Sequence, residues 1–159
     1  MNKIIIAIVL IFNVIGFTNA QVTGKTIGLR LGGGFGGGGE VSYQHPLGSA
    51  HRLEIDLGAN GGGFGLNGIY HWVNDLSDLG DGFNWYYGVG AGVGSYTFDY
   101  NSNKVGTRYL NAGILGQIGL EYKFEIPVTI SIDYRPGIYF LSGINSSIDG
   151  FCLSGRYRF

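Results

Sequence analysis

The stretch Gly150-Phe-Cys-Leu-Ser-Gly-Arg-Tyr-Arg-Phe159 decides how the rest of the chain is read. Side chains of an extended strand alternate between two faces. Phe151, Leu153, Gly155, Tyr157 and Phe159 therefore share one face, and Cys152, Ser154, Arg156 and Arg158 the other. The sequence closes on an aromatic residue with a second two places before it, whereas a frayed terminus in water is usually polar. A strand apolar on one side and twice charged on the other points to lipid outside and a polar lumen inside.

Seven more windows repeat the pattern, each bounded by Gly, Pro, Asn or Asp. Ile27, Leu29 and Leu31 alternate with Gly28, Arg30 and Gly32; Val41 and Tyr43 with Glu40, Ser42 and Gln44; Leu53, Ile55, Leu57 and Ala59 with Arg52, Glu54, Asp56 and Gly58. Phe83, Trp85, Tyr87, Val89, Ala91 and Val93 form the longest aromatic ladder, with Asn84, Tyr86, Gly88, Gly90 and Gly92 between them. Leu110 to Tyr122 and Val128 to Arg135 alternate in the same way. Only Leu66–Val73 is ambiguous, because Ile69 and Val73 fall on the polar side with Asn67 and His71. Ser95–Arg108 and Pro136–Gly150 are expected to be long loops, Asn74–Gly82 a connection, and Asn60–Gly63 a tight hairpin.

Across the windows, the first-named face holds no Asp, Glu, Lys or Arg. The opposite face holds Arg30, Arg52, Arg135, Arg156 and Arg158 against Glu40, Glu54, Asp56, Glu121 and Asp133. A soluble antiparallel sandwich or lipocalin-like barrel would also alternate, but its polar face meets water and usually carries lysines. Here Lys25, Lys104 and Lys123 sit only at strand ends or in loops. Paired charges and glycines suit the inside of a small closed barrel, where each buried charge needs a partner. These ten residues are the expected lumen charge network. The glycines at 88, 90 and 92 are expected to leave room along one wall.

The first 20 residues read as a cleaved secretory signal peptide: Met1-Asn2-Lys3, an apolar run from Ile4 to Ile15, then Thr18-Asn19-Ala20 before Gln21. The run falls short of the roughly 20 apolar residues a spanning helix needs. Residues 21–159 are then one domain. Net charge of −1 gives no reason to expect a nucleic-acid partner. The lone Cys152 excludes an internal disulfide.

The mature sequence resembles the small eight-stranded outer-membrane barrels of the opacity-protein and outer-membrane-protein-A transmembrane-domain type. Leu66-Asn-Gly-Ile-Tyr-His-Trp-Val73, Gly88-Val-Gly-Ala-Gly-Val-Gly94, Gly119-Leu-Glu-Tyr-Lys-Phe124 and Ile132-Asp-Tyr-Arg-Pro-Gly137 are similar to barrels common in Bacteroidetes. The resemblance implies an all-β, eight-stranded antiparallel transmembrane barrel, outer-membrane lipids as surroundings, and insertion machinery that reads the C-terminal strand. Aromatic girdles would lie at Tyr43, Trp72, Phe83, Trp85, Tyr122, Tyr157 and Phe159 on one side of the membrane, and at Tyr96, Tyr109, Tyr134 and Phe151 on the other.

Enzymatic chemistry finds little support. Gly32–Gly39 lacks the Lys-Ser/Thr and the helix of a phosphate loop. Asp75, Asp78 and Asp81 recur every three residues, unlike a calcium loop. Of His45, His51 and His71, none stands two residues before a serine, the arrangement of the lipid A deacylases. The expectation is a structural or surface-interaction barrel with no cofactor, no metal and no catalytic residues. A narrow channel or small-ligand carrier is the alternative, and a lipid-modifying enzyme the third reading.

Overall fold

The computed structural model describes residues 22, 24–32, 38–60, 63–98, 107–140, 145–147 and 150–159; the expected signal peptide lies outside them. Ten strands follow in chain order: β1 (Thr26–Gly32), β2 (Gly38–Pro46), β3 (His51–Asn60), β4 (Gly63–Asp75), β5 (Phe83–Phe98), β6 (Thr107–Lys123), β7 (Val128–Tyr134), β8 (Gly137–Tyr139), β9 (Asn145–Ser147) and β10 (Phe151–Arg158). Among the described residues there is no helix.

The ten strands make eight staves. β7 and β8 share one stave, because they pair with β6 in a single register: Ile118 faces Tyr134 and Leu115 faces Gly137. Pro136, which has no N–H to give, interrupts the ladder between them. β9 pairs with β8 as β10 pairs with β7, so these two form the eighth stave. Every neighbouring pair is antiparallel, and β10 closes onto β1 with Thr26 opposite Arg158 and Gly32 opposite Cys152. The fold is a closed eight-stranded antiparallel β-barrel.

The register also fixes the stagger. From Leu29, successive partners Val41, Leu57, Leu66 and Val93 lead to Ala112 on β6. In the other direction Gly155 and Ile130 lead to Tyr122 on the same strand, ten residues further along. A displacement of that size in an eight-stranded barrel tilts the strands by ~35–45°.

The start of β1, the end of β10 and the short turns lie at one mouth, called lower here; Gly32, Asn60 and Phe98, where β1, β3 and β5 end, lie at the upper mouth. The Pro46–His51 turn is closed by Leu47 N–H donating to His51 O at 2.9 Å. In the β4–β5 turn Gly82 takes φ +93°, and a Cβ there would strike the Lys123 carbonyl, so glycine is required. The connections expected to be long loops are strand in part. The β5–β6 ladder continues from Ser95 opposite Leu110 to Phe98 opposite Thr107, and Pro136–Gly150 contains β8 and β9. Polar composition misled here, since pairing beyond a barrel's rim needs no apolar face.

Burial alternates with the pleat and settles the ambiguous window. Ile69 and Val73 face inward and are buried. Val73 packs with Tyr86 and Val22 at the lower end, and Ile69 packs with Leu115 and Tyr139 higher up. Outside, Ile27, Leu29, Leu31, Val89, Val93, Ile114, Ile118, Ile132 and Leu153 are exposed.

Aromatic rings cluster on the outer surface. His51, Tyr70, Trp72, Tyr87 and Trp85 form a chain of ring contacts 4.9–5.7 Å apart, and Tyr122 lies 4.7 Å from both Phe83 and Phe124. Tyr134 meets Phe151 at 4.8 Å. Of Tyr96 and Tyr109 the structure describes only the backbone, which pairs directly.

Candidate functional site

The inward face of each stave contributes polar groups because every second residue points inward and the pleat leaves them nowhere else to go. Arg30 on β1 donates to Glu40 on β2 at 2.7 Å and to Asp133 on β7 at 2.5 Å, reaching across two strand boundaries. Arg135, between β7 and β8, bonds Glu40 and Glu54 at 3.1 Å each and also Asp56. Arg156 on β10 reaches Glu54 at 2.9 Å and donates to the hydroxyls of Ser42 and Ser131. Glu40 accepts from Asn67 as well. These seven ionisable groups form one cluster.

Arg52 and Glu121 form a second cluster near the lower mouth, joined at 2.6 Å, with Lys123 Nζ 3.7 Å from Glu121. The Arg52 guanidinium also lies 4.6 Å above the Tyr86 ring, a cation–π contact.

His71 and Gln117 join the two clusters. Arg52 Nε can only donate, and it lies 3.2 Å from His71 Nδ1, so that nitrogen accepts. His71 is then the neutral tautomer protonated at Nε2, which donates to Gln117 Oε1 at 3.2 Å. Gln117 in turn donates from Nε2 to Glu54 Oε1 at 3.2 Å and accepts from Arg135 Nε at 3.3 Å. One directional chain of hydrogen bonds therefore runs from the lower mouth into the main cluster. His71's only acceptor nitrogen is already held by a cation, which makes it a poor general base.

Nine of the ten residues singled out from sequence meet in these clusters. Arg158 does not. It sits at the lower mouth, donating to the carbonyls of Phe124 and Ile126 at 2.6 and 2.8 Å, and holds the β6–β7 turn. Lys123, expected to stay at a strand end outside the network, stands in its place. Arg30, Arg52, Arg135, Arg156 and Lys123 then oppose Glu40, Glu54, Asp56, Glu121 and Asp133, five against five. Such balance matters because breaking a buried pair costs ~3–5 kcal/mol.

Sequence reasoning missed Gln117, Gln44, Ser42, Ser131 and Tyr86 as members of the network. Each stood on the inward face, but a period-two pattern says nothing of which strand lies across the lumen.

The expected room along the glycine wall is absent. Gly88, Gly90 and Gly92 on β5 are overhung by His71, Ile69 and Asn67 of β4, and Leu115 of β6 reaches Gly92; a Cβ on any of the three would collide. The glycines admit large neighbours rather than solvent. At Gly119 the same role falls to Tyr86, whose ring occupies the place of the missing side chain.

Elsewhere, Asp75 accepts from the N–H and hydroxyl of Ser77 within its own turn, at 3.2 and 2.7 Å. Among the described residues, no three His, Cys, Asp or Glu side chains are grouped as metal ligands.

No family model matches the chain, and no curated protein or solved structure matches it either.

Proposed function

We propose that the chain is a bacterial outer-membrane β-barrel with a structural or surface-interaction role, its lumen closed by its own paired charges. The observation that carries this reading is the inversion of burial. Glu54 and Asp56 are 0% exposed while Leu29, Val89, Ile114 and Leu153 are 56–60% exposed. In water, monomeric proteins rarely expose a contiguous apolar patch beyond a few hundred Å². In a bilayer the same belt is in its proper solvent, and closure of the barrel leaves no unpaired strand edge facing lipid.

The belt has suitable dimensions. Outward apolar residues run from Trp85 to Val93 on β5 and from Leu110 to Tyr122 on β6. At ~2.5 Å of height per tilted residue these cover ~20–30 Å, against the ~25 Å band of outer-membrane barrels. The aromatic clusters near the lower turns then lie at headgroup level, with both termini periplasmic after export through the N-terminal signal. The outer face of β10 is the surface assigned to the insertion machinery. Outer-membrane lipids are the partner of the belt, and the upper connections are the part available to extracellular partners. No catalytic role is assigned.

Fractionation tests the location: the mature protein should be recovered in the outer membrane, and recovery as a soluble periplasmic species would overturn the reading. Planar-bilayer recording tests the lumen. The filled interior should give no stable, porin-sized conductance, and a large steady current would favour the channel reading instead.

A further inference from the structure

Over the whole lumen the ionisable side chains stand five against five, but the balance fails locally. In the main cluster Arg30, Arg135 and Arg156 face Glu40, Glu54, Asp56 and Asp133, three guanidiniums against four carboxyls. The surplus cations are Arg52 and Lys123, which share Glu121 at the lower mouth. Arg52 stands four residues below Asp56 on β3, ~13 Å along the strand. Glu54 and Asp56, by contrast, meet the same nitrogen, Arg135 Nη2. Like charges sharing one buried site favour a proton on one of them.

The hydrogen bonds identify which carboxyl carries it. Glu54 accepts from Arg156, Arg135, Gln44 and Gln117. Glu40 accepts from Arg30, Arg135 and Asn67, and Asp133 holds both Nε and Nη2 of Arg30. Asp56 has one guanidinium, which it shares with Glu40 and Glu54, and the Ser42 hydroxyl from β2. Its other oxygen, Oδ1, is buried without a partner. Directly opposite on β4 stands Asn67, whose Oδ1 is also buried and unpartnered. That amide is held in its orientation, because its Nδ2 donates to Glu40. The two residues are 0% and 1% exposed, and Cβ atoms of directly opposed residues lie ~4.5–5.5 Å apart. Two bare acceptors on such a pair lack only a hydrogen between them.

We infer that the main cluster is a proton-binding site: at neutral pH Asp56 is a neutral carboxylic acid whose Oδ1–H donates to Asn67 Oδ1. One proton then partners both stranded oxygens and leaves three charges of each sign in the cluster. A water between the oxygens would donate to both, but would leave Glu40, Glu54 and Asp56 all charged around one guanidinium. The charged groups facing Asp56 are Glu40 on β2, Glu54 on β3 and Arg135 after β7, two anions against one cation. Oδ2 keeps its bond from Arg135 as the carbonyl oxygen of the acid. The new bond ties β3 to β4 inside the lumen, in addition to their backbone ladder. It depends on closure of the barrel and on these side chains alone, so it stands or falls separately from the membrane reading.

The test uses the mature barrel folded in detergent at neutral pH. Its infrared spectrum should contain the carbonyl band of a protonated carboxyl, shifted by ¹³C-aspartate and unmoved by ¹³C-glutamate. Asp56→Asn should remove that band. The same variant should keep its urea midpoint at or above the wild-type value, because the new amide donates to Asn67 and accepts from Arg135 as the acid does. Asp56→Ala loses both bonds and should lower the midpoint, which shows that the assay senses the position. Absence of an aspartate band from the wild-type protein would overturn the inference, leaving an ionised Asp56 bridged to Asn67 by water. So would a band that survives Asp56→Asn, or an Asp56→Asn variant that fails to fold or drops to the midpoint of Glu54→Gln.

Discussion

Glu54→Gln is the sharpest test of the charged interior, because it changes one oxygen to nitrogen and nothing in size. Glu54 accepts four bonds: Oε2 from Gln44 and Arg156 at 2.6 and 2.9 Å, Oε1 from Gln117 and Arg135 at 3.2 and 3.1 Å. Whichever oxygen becomes NH₂ places a donor against two donors. Summing four lost charge-assisted bonds at ~1.5–3 kcal/mol each would predict ~6–12 kcal/mol. That is an overestimate, because Arg135 keeps Glu40 and Asp56. Arg156 is worse placed, with only the hydroxyls of Ser42 and Ser131 left. One stranded guanidinium therefore sets the magnitude, and the expected destabilisation is ~3–5 kcal/mol. Urea unfolding from lipid vesicles measures it, with Arg156→Met and the double variant completing a cycle. The double variant should cost less than the sum of the singles by ~1–3 kcal/mol, since removing both charges leaves neither unpaired. A loss below ~1 kcal/mol for Glu54→Gln, or strict additivity, would refute the claim that these two groups neutralise each other in a dry lumen.

Two further predictions address the belt and the glycine wall. Ile132→Arg on the outer face should cost ~2–4 kcal/mol in lipid if it lies near the midplane, and Thr129→Ser on the inner face should be nearly silent; equal effects in the same refolding assay would reverse the face assignment. Gly90→Ala should cost ~1–3 kcal/mol because its methyl strikes Ile69 and the Gly68 carbonyl, whereas Gly155→Ala points into open space and should stay within ~0.5 kcal/mol. Matching urea midpoints for these two alanine variants would mean the wall has the slack it lacks here.

Much of the barrel is legible from alternation alone. Leu53, Ile55 and Leu57 against Arg52, Glu54 and Asp56 can satisfy a pleated strand in only one way, and that local rule settles strand, face and inward charge together. Other features are relations across the lumen, which no local pattern encodes. Arg135 meets Glu40, Glu54 and Asp56, 79 to 95 residues away, because closure and a ten-residue stagger bring β7, β2 and β3 to one level. The same geometry replaces Arg158 by Lys123 in the network: near the lower rim, the side chain of Arg158 finds turn carbonyls before it finds a carboxylate. Ile69 looked misplaced in sequence and is not, since a filled lumen needs apolar volume as well as charge, and Gly90 beside it leaves that volume free. Composition and period thus determine which side of each strand is wet. Which groups face each other, and whether a glycine opens space or is filled from the next strand, follow only from the closed barrel, because they depend on distances between residues that the chain itself keeps far apart.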